Sequence, residues 1–167
     1  MKRSTFSRPI AHPVANLVAT TALAFAVAGT ALAADTGPAT PADKLGPARA
    51  LIADGKWTAA IDELKRVNDP ASADWNNLMG YSHRKAKTPD VAAAERYYDE
   101  ALRIEPKHRG ALAYSGELYL MTGKLPQAEQ RLAALDKACF LPCSEYTALK
   151  KSVEGYKAGG SKAVSMY

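Results

Sequence analysis

Two segments of the chain align without a gap: LIADGKWTAA at residues 51–60 and YLMTGKLPQA at residues 119–128. Their glycines, Gly55 and Gly123, are separated by twice thirty-four positions, and their final alanines have the same separation. A constant period of this length is typical of repeat proteins, in which one supersecondary unit stacks on the next. A single unit does not bury its own apolar face, so about three units are needed for a stable fold.

A third unit lies halfway between these two segments. Ala94, Tyr98 and Ala101 are each thirty-four positions from a counterpart on either side. The counterparts are Ala60, Leu64 and Val67 in the first unit and Ala128, Leu132 and Leu135 in the last. Three units therefore share one register over their second half.

The first halves of the units match less closely. Gly80 and Gly116 are thirty-six positions apart, so the middle unit contains about two residues more than the period. Turns absorb insertions more easily than helices do. We therefore place the extra residues in the stretch KAKTPD at residues 85–90.

Helix–turn–helix units with this period and these positions resemble the tetratricopeptide repeat family. The resemblance covers about residues 41–142, and the string AERYYDEAL at residues 94–102 is close to the family's consensus second helix. It rests on Gly55, Trp57 and Ala60 in the first unit, on Gly80, Ala94, Tyr98, Ala101 and Pro106 in the second, and on Gly116, Tyr119, Gly123 and Ala128 in the third. It implies an all-α fold: a right-handed α-solenoid of three helix-turn-helix repeats with a C-terminal capping helix.

The shared positions also have a physical interpretation. Small residues allow two helices to approach closely, and large residues fill the volume beside them. Gly55 and Gly123 lie where a helix is expected to end, and both are expected in the left-handed conformation. Pro106 and Pro126 are expected to begin new helices, where the missing N–H costs nothing.

The pattern predicts seven helices, over residues 42–53, 57–67, 72–85, 90–104, 108–121, 125–137 and 144–157. The last begins at Ser144, which we expect to act as its N-cap. Four residues at helical spacing form its apolar face over the third repeat: Tyr146, Leu149, Val153 and Tyr156. The repeat domain with its capping helix is expected at 44–157, followed by a flexible tail at 158–167.

The segment 1–33 has the composition of a secretory signal peptide. Three basic residues within the first eight positions precede an uncharged apolar run, and the small-residue site ALA follows at residues 31–33. The alternative is an uncleaved membrane anchor, but the run is short for a span of about 20 residues. We expect cleavage near Ala33, a flexible linker at 34–43, and a periplasmic or secreted mature protein without a membrane span.

Charge and motifs exclude several classes of function. The segment 1–33 contains three of the 22 basic residues and none of the 17 acidic ones, so the formal charge falls from +5 to about +2 without it. A nucleic-acid binder usually carries a basic stripe, and we expect no nucleic-acid partner. Motifs for a catalytic serine or a phosphate-binding loop are absent. We predict that the chain is not an enzyme and has no cofactor.

The cysteines Cys139 and Cys143 lie between the last repeat and the final helix. Their spacing differs from the Cys-x-x-Cys of redox and zinc sites. In an exported protein we expect a structural disulfide here, and free thiols or a redox or metal role are the alternatives. His83 and His108 are expected to be isolated on repeat helices, so no metal site is predicted.

The family resemblance implies that the first helix of each unit lines a concave groove for a peptide or extended segment. The residues at the groove positions are Arg49 in the first unit, Asn77, Tyr81 and Arg84 in the second, and Tyr114 and Glu117 in the third. The arginines and the asparagine suit a carboxylate or backbone carbonyls, and the tyrosines supply flat contact area. The alternative is that all six are ordinary solvated residues.

These residues depart from the family's clamp for a C-terminal carboxylate, which uses lysines and asparagines across its repeats. The third unit has Glu117 at its groove position, and this side chain would repel the carboxylate of a ligand. We therefore predict a scaffold or adaptor that binds a protein or peptide partner in its groove. A thiol–disulfide redox role of Cys139 and Cys143 in the cell envelope is the alternative function.

Overall fold

The computed structural model describes residues 43–159. In this range the chain forms seven helices and no strand: α1 (Gly46–Ala53), α2 (Trp57–Val67), α3 (Ala73–Lys85), α4 (Val91–Ile104), α5 (Arg109–Met121), α6 (Leu125–Ala138) and α7 (Ser144–Gly159). Neighbouring helices pack as the pairs α1–α2, α3–α4 and α5–α6, and α7 packs on the last pair. The predicted all-α repeat solenoid is confirmed.

The sequence period is visible in the helix boundaries. The second helices of the three units begin at Trp57, Val91 and Leu125, each thirty-four positions after the previous one. The turn inside the unit is three residues long in the first and third units and five residues long, at 86–90, in the second. The two extra residues of the middle unit therefore lie in the predicted turn.

Two glycines end the first helices of the outer units in the predicted way. Gly55 has φ +70° and Gly123 has φ +75°. This left-handed conformation strains any residue with a Cβ atom. It allows the chain to reverse direction within three residues, so both units close into tight hairpins.

Close packing within the second unit depends on a pair of one small and one large residue. A Cβ atom on Gly80 in α3 would lie 2.8 Å from two ring carbons of Tyr98 in α4. The Tyr98 side chain is fully buried. Because real Cβ contacts do not occur at this distance, the ring fits only against a residue without a side chain.

Helix α7 occupies the place that the first helix of a fourth unit would have. It packs on both α5 and α6 and buries Leu149 and Val153. The Leu149 side chain lies over Gly116 of α5, where a Cβ atom would come within 2.6 Å of it. The helix therefore covers the apolar end of the third unit, as predicted.

A buried hydrogen bond ties the first unit to the second. The indole Nε1 of Trp75 in α3 donates to the carbonyl oxygen of Leu64 in α2 at 2.7 Å. The same oxygen accepts from the N–H of Asn68 at 3.0 Å, which uses both lone pairs of the carbonyl. Trp75 is 6% exposed and belongs to the apolar cluster shared by the first three helices.

Four predicted details need correction or extension. Helix α1 begins at Gly46, because the Asp43 carboxylate accepts a hydrogen bond from Leu45 N at 3.0 Å and holds the chain in a turn before the helix. Helix α7 continues to Gly159. Ser144 is its first residue and not its N-cap, since the hydroxyl donates to the Glu145 carboxylate at 3.0 Å. Pro106 lies in the turn before α5 and does not begin it.

Pro126 lies in the first turn of α6, as predicted. The predicted signal peptide at 1–33 lies outside the described residues. The same holds for the predicted linker except Asp43, and for the predicted tail except its first two residues.

Replacing Gly80 by Ala is expected to destabilise the fold. Overpacking a core costs about 1–3 kcal/mol, and the better helix propensity of alanine returns roughly 1 kcal/mol. We expect a net loss of about 1 kcal/mol in the free energy of unfolding, measured by urea titration. Gly46→Ala is the matched control, since its Cβ would lie 3.5 Å from Asp43 Oδ2, an ordinary contact. Equal losses in both variants would contradict the packing argument.

Candidate functional site

The six predicted groove residues lie on the first helices of the three units. Arg49 is on α1, Asn77, Tyr81 and Arg84 are on α3, and Tyr114 and Glu117 are on α5. Helix α3 contacts both α1 and α5, so the three helices form one continuous face. The structure gives these six residues different environments.

Arg84 is buried between aromatic rings of two units. Its guanidinium carbon lies 5.3 Å from the ring centroid of Tyr81 and 5.7 Å from that of Tyr114. The two rings contact each other with centroids 4.6 Å apart. Arg84 Nη2 donates to Glu117 Oε2 at 2.7 Å, and the side chain is only 4% exposed. Four of the six predicted residues thus form one cluster that joins α3 to α5.

The charge of this cluster is held inside the protein. Burial works to lower the pKa of Arg84, but the neighbouring Tyr98 hydroxyl and Glu117 carboxylate raise it more, so the guanidinium remains charged. Burial raises the pKa of Tyr98, and burial together with nearby Tyr81 raises the pKa of Tyr114. Because Glu117 already neutralises Arg84, this arginine is not free to receive a ligand carboxylate.

Arg49 is also engaged by acids of its own chain. Its guanidinium lies 2.6 Å from Asp43 Oδ2 and 3.3 Å from Asp74 Oδ2. The Leu45 N–H and the Arg49 guanidinium lower the pKa of Asp43. Asp74 is the second residue of α3, so this pairing connects the first unit to the second.

His108 is a site residue that the sequence did not reveal, and it is not isolated on a helix as predicted. It precedes α5 as its N-cap, and its Nδ1 accepts a hydrogen bond from the Ala111 N–H at 3.0 Å. The opposite ring nitrogen, Nε2, lies 3.0 Å from Asp74 Oδ1. Since Nδ1 accepts a hydrogen bond, the proton of the neutral ring is on Nε2 and is donated to Asp74. The repeat period does not predict this cap, because the N-cap position is not among the positions that the three units share.

A cleft of about 380 Å³ opens where the first turns of α3, α5 and α7 meet. It is lined by Asp74, Asn77, Glu105, Lys107, His108, Arg109, Gly110, Tyr114 and Glu145. Two of the predicted groove residues, Asn77 and Tyr114, line this cleft. Arg49 does not line it, but its guanidinium contacts Asp74, which does. The charges of its lining are of both signs, so the cleft does not select strongly for an anion or a cation.

Asn77 is the unusual residue of this cleft. It is 7% exposed, and its Oδ1 is buried without a hydrogen bond. A Cβ atom on Gly110 would lie 2.9 Å from Asn77 Nδ2, so the glycine makes room for the amide. A buried unpaired amide oxygen costs about 1–3 kcal/mol. Most buried polar atoms in native proteins have a hydrogen-bond partner, so an unpaired one beside a cleft is a candidate contact for a ligand or a water molecule.

The cleft offers hydrogen-bonding groups that match a peptide main chain. An asparagine amide accepts through its oxygen and donates through its nitrogen. At the N-terminus of α5 the N–H groups of Arg109 and Gly110 lack an acceptor within their own helix. Tyr114, which is partly buried, adds a flat apolar wall. The arrangement can therefore pair with alternating N–H and C=O groups.

The predicted bond between Cys139 and Cys143 is present, with their Cα atoms 5.9 Å apart. Among residues 43–159, no three candidate ligands come close enough together to hold a metal ion. Acidic residues of α2 and α4 form salt bridges with nearby arginines, such as Glu63 with Arg66 and Asp99 with Arg131. These bridges agree with a solvated helix face.

Comparison with known proteins agrees with this architecture. Residues 89–152 match the family model of the tetratricopeptide repeat. This part of the chain belongs to the tetratricopeptide repeat family. The match runs from just before α4 into α7, so it includes the start of the helix that closes the third repeat. No curated protein matches the chain. None of the helices described between residues 43 and 159 is both long and apolar enough to span a membrane.

The tautomer of His108 is directly measurable. We expect ¹⁵N NMR shifts of the imidazole at neutral pH to show a protonated Nε2 and an unprotonated Nδ1, because Nδ1 caps α5. Replacing His108 by Ala should lower the free energy of unfolding by about 1 kcal/mol through loss of the cap. A proton on Nδ1 would contradict the capping geometry.

Proposed function

We propose that this protein is an interaction scaffold that binds an extended peptide segment of a partner protein. The segment lies on the face formed by α1, α3 and α5. Repeat proteins of this kind stack helices into a continuous surface and commonly bind partners along it. The charges of this face are largely paired within the chain, which favours recognition of main-chain groups and apolar side chains over recognition of a charged terminus.

The unpaired amide oxygen of Asn77 carries this proposal. It has no hydrogen bond in the protein, and the residue lines the cleft together with Gly110. Because this oxygen is screened from solvent, a peptide N–H in the cleft satisfies it after a rotation of the Asn77 amide. The same contact offsets the cost of burying an unpaired oxygen, so binding and stability are linked at this residue.

Catalysis is a weaker interpretation of the same cleft. His108 and Asp74 form a pair that resembles part of a catalytic triad, with 3.0 Å between Nε2 and Oδ1. In a triad the second ring nitrogen must reach a nucleophile. Here Nδ1 is occupied by the Ala111 N–H, so His108 has no nitrogen left to act as a base. The pair stabilises the entrance of the cleft instead.

Replacing Asn77 by Leu is expected to separate binding from folding. Loss of the paired amide should weaken peptide binding by about tenfold or more, while removal of an unpaired buried oxygen leaves the free energy of unfolding unchanged or raises it. Binding is measured by fluorescence anisotropy with peptides selected on an array, and unfolding is measured with urea. Arg84 is unsuitable for this test, since removing it breaks a buried ion pair.

The control for this variant is Glu100→Gln, on α4 and outside the face of the first helices. It should change neither peptide affinity nor stability by more than a small amount, because its bridge to Arg103 is on the surface. Equal peptide affinity for Asn77→Leu and the unaltered protein would remove the cleft from the binding site.

We further propose that the protein is exported and acts in the periplasm or outside the cell. The basic and apolar start of the chain and the disulfide support this, since disulfides persist in oxidising compartments. Mass spectrometry of the protein recovered from its host should give a chain that begins at Ala34. A recovered chain that retains Met1 would contradict cleavage and export by this route.

A further inference from the structure

The disulfide lies at the junction between the third repeat and α7. Cys139 is the C-cap residue of α6, and Cys143 immediately precedes α7. Both residues are partly exposed, so a reductant has access to the bond. With a sequence separation of four, the bond closes a ring of only five residues.

The loop inside this ring presents its large apolar side chains to solvent. Phe140 is 100% exposed and Leu141 is 72% exposed. Apolar side chains of this size normally anchor a loop by burial. Here the covalent bond, and not the packing of these side chains, fixes where α7 starts relative to the end of α6.

The position of α7 matters for two other parts of the molecule. Leu149 fills the space over Gly116, so the helix covers the apolar end of α5. Glu145, two residues after Cys143, forms a wall of the cleft, and its carboxylate lies 3.8 Å from Arg109 Nε on the other side. A shift at the start of α7 therefore displaces a cleft wall.

We propose that the Cys139–Cys143 bond is a site of thiol–disulfide exchange with a dithiol reductant, and that its redox state sets the order of the first turns of α7 and the shape of the cleft. The effect on α7 follows from the contacts described above. The effect on peptide affinity rests on the proposed function.

The exchange is chemically balanced. A thiolate of the reductant attacks Cys139 Sγ, a mixed disulfide forms, and the electron pair of the broken bond leaves on Cys143 Sγ. The N-terminus of α7 stabilises that thiolate. The second thiol of the reductant then attacks the reductant's other sulfur, which is bonded to Cys139 in the mixed disulfide. This step releases Cys139 as a thiol. Two electrons and two protons pass to the protein, and the dithiol becomes a disulfide.

The expected size of the effect follows from the ring. The bond restricts the conformations of the state in which the first turns of α7 are locally unfolded. Breaking the bond should therefore raise the equilibrium population of that state roughly 30-fold. Local opening of this kind is measured by amide hydrogen exchange. The change should be confined to the start of α7, because this helix packs mainly on α5 and α6 and not on the second unit.

The test is hydrogen exchange with mass spectrometry on the full protein, with and without dithiothreitol under native conditions. We expect amide exchange in residues 147–149 to rise roughly 30-fold after reduction, with no change in α3 and α4, because these amides are hydrogen-bonded in the helix, as Thr147 N–H is to the Cys143 carbonyl. Complete reduction is verified by the added mass of two hydrogens. Unchanged exchange at 147–149 after complete reduction would overturn the proposal, and so would a bond that resists the dithiol.

Two variants make the result specific. Cys139→Ser with Cys143→Ser should show the fast exchange without any reductant and should not respond to it. Phe140→Ala with Leu141→Ala keeps the bond and should match the oxidised protein. Peptide affinity is then compared between the two redox states. Faster exchange in α7 with unchanged affinity for a peptide that binds through Asn77 would overturn the link to the cleft and leave the proposed function intact.

Discussion

The contact between Gly80 and Tyr98 sets the distance between the helices on which the rest of the structure depends. A ring that is fully buried against a bare backbone brings α3 and α4 close together. This distance fixes where α3 presents its outer face to α5. The buried Arg84, the contacting rings of Tyr81 and Tyr114, and the cleft beside Asn77 all lie on that face. A Cβ atom at position 80 would push the Tyr98 ring, and with it α4, away from α3.

The proposed binding face also has a structural role. A buried arginine beside two tyrosines and Glu117 joins α3 to α5 by charge, by cation–π contacts and by a 2.7 Å hydrogen bond. Removing one member of such a pair leaves a buried charge without compensation, which is costly. Much of the groove is therefore used to keep neighbouring repeats in register. The residues left for a ligand are those at the N-terminal ends of the first helices.

The sequence predicted the spacing of the helices but not the partners of their side chains. Period and glycine positions were enough to locate the six repeat helices and the longer turn at 86–90, and apolar spacing located the seventh helix, because these features follow from local chain geometry. They did not show that Arg84 is buried, since that depends on rings from two different repeats. The unpaired Asn77 amide oxygen was missed for the same reason, because it lies against Gly110 of the next unit. The His108 cap is local to α5 and was missed because histidine is not among the usual N-cap residues.

We propose that an extended peptide binds across the first helices of the repeats. Hydrogen exchange of the protein with and without a bound peptide tests this most directly, because it locates the footprint on the chain. The account predicts protection in the first turns of α3 and α5, around residues 74–81 and 109–114. Protection on α2, α4 and α6, with none on α3 and α5, would contradict it.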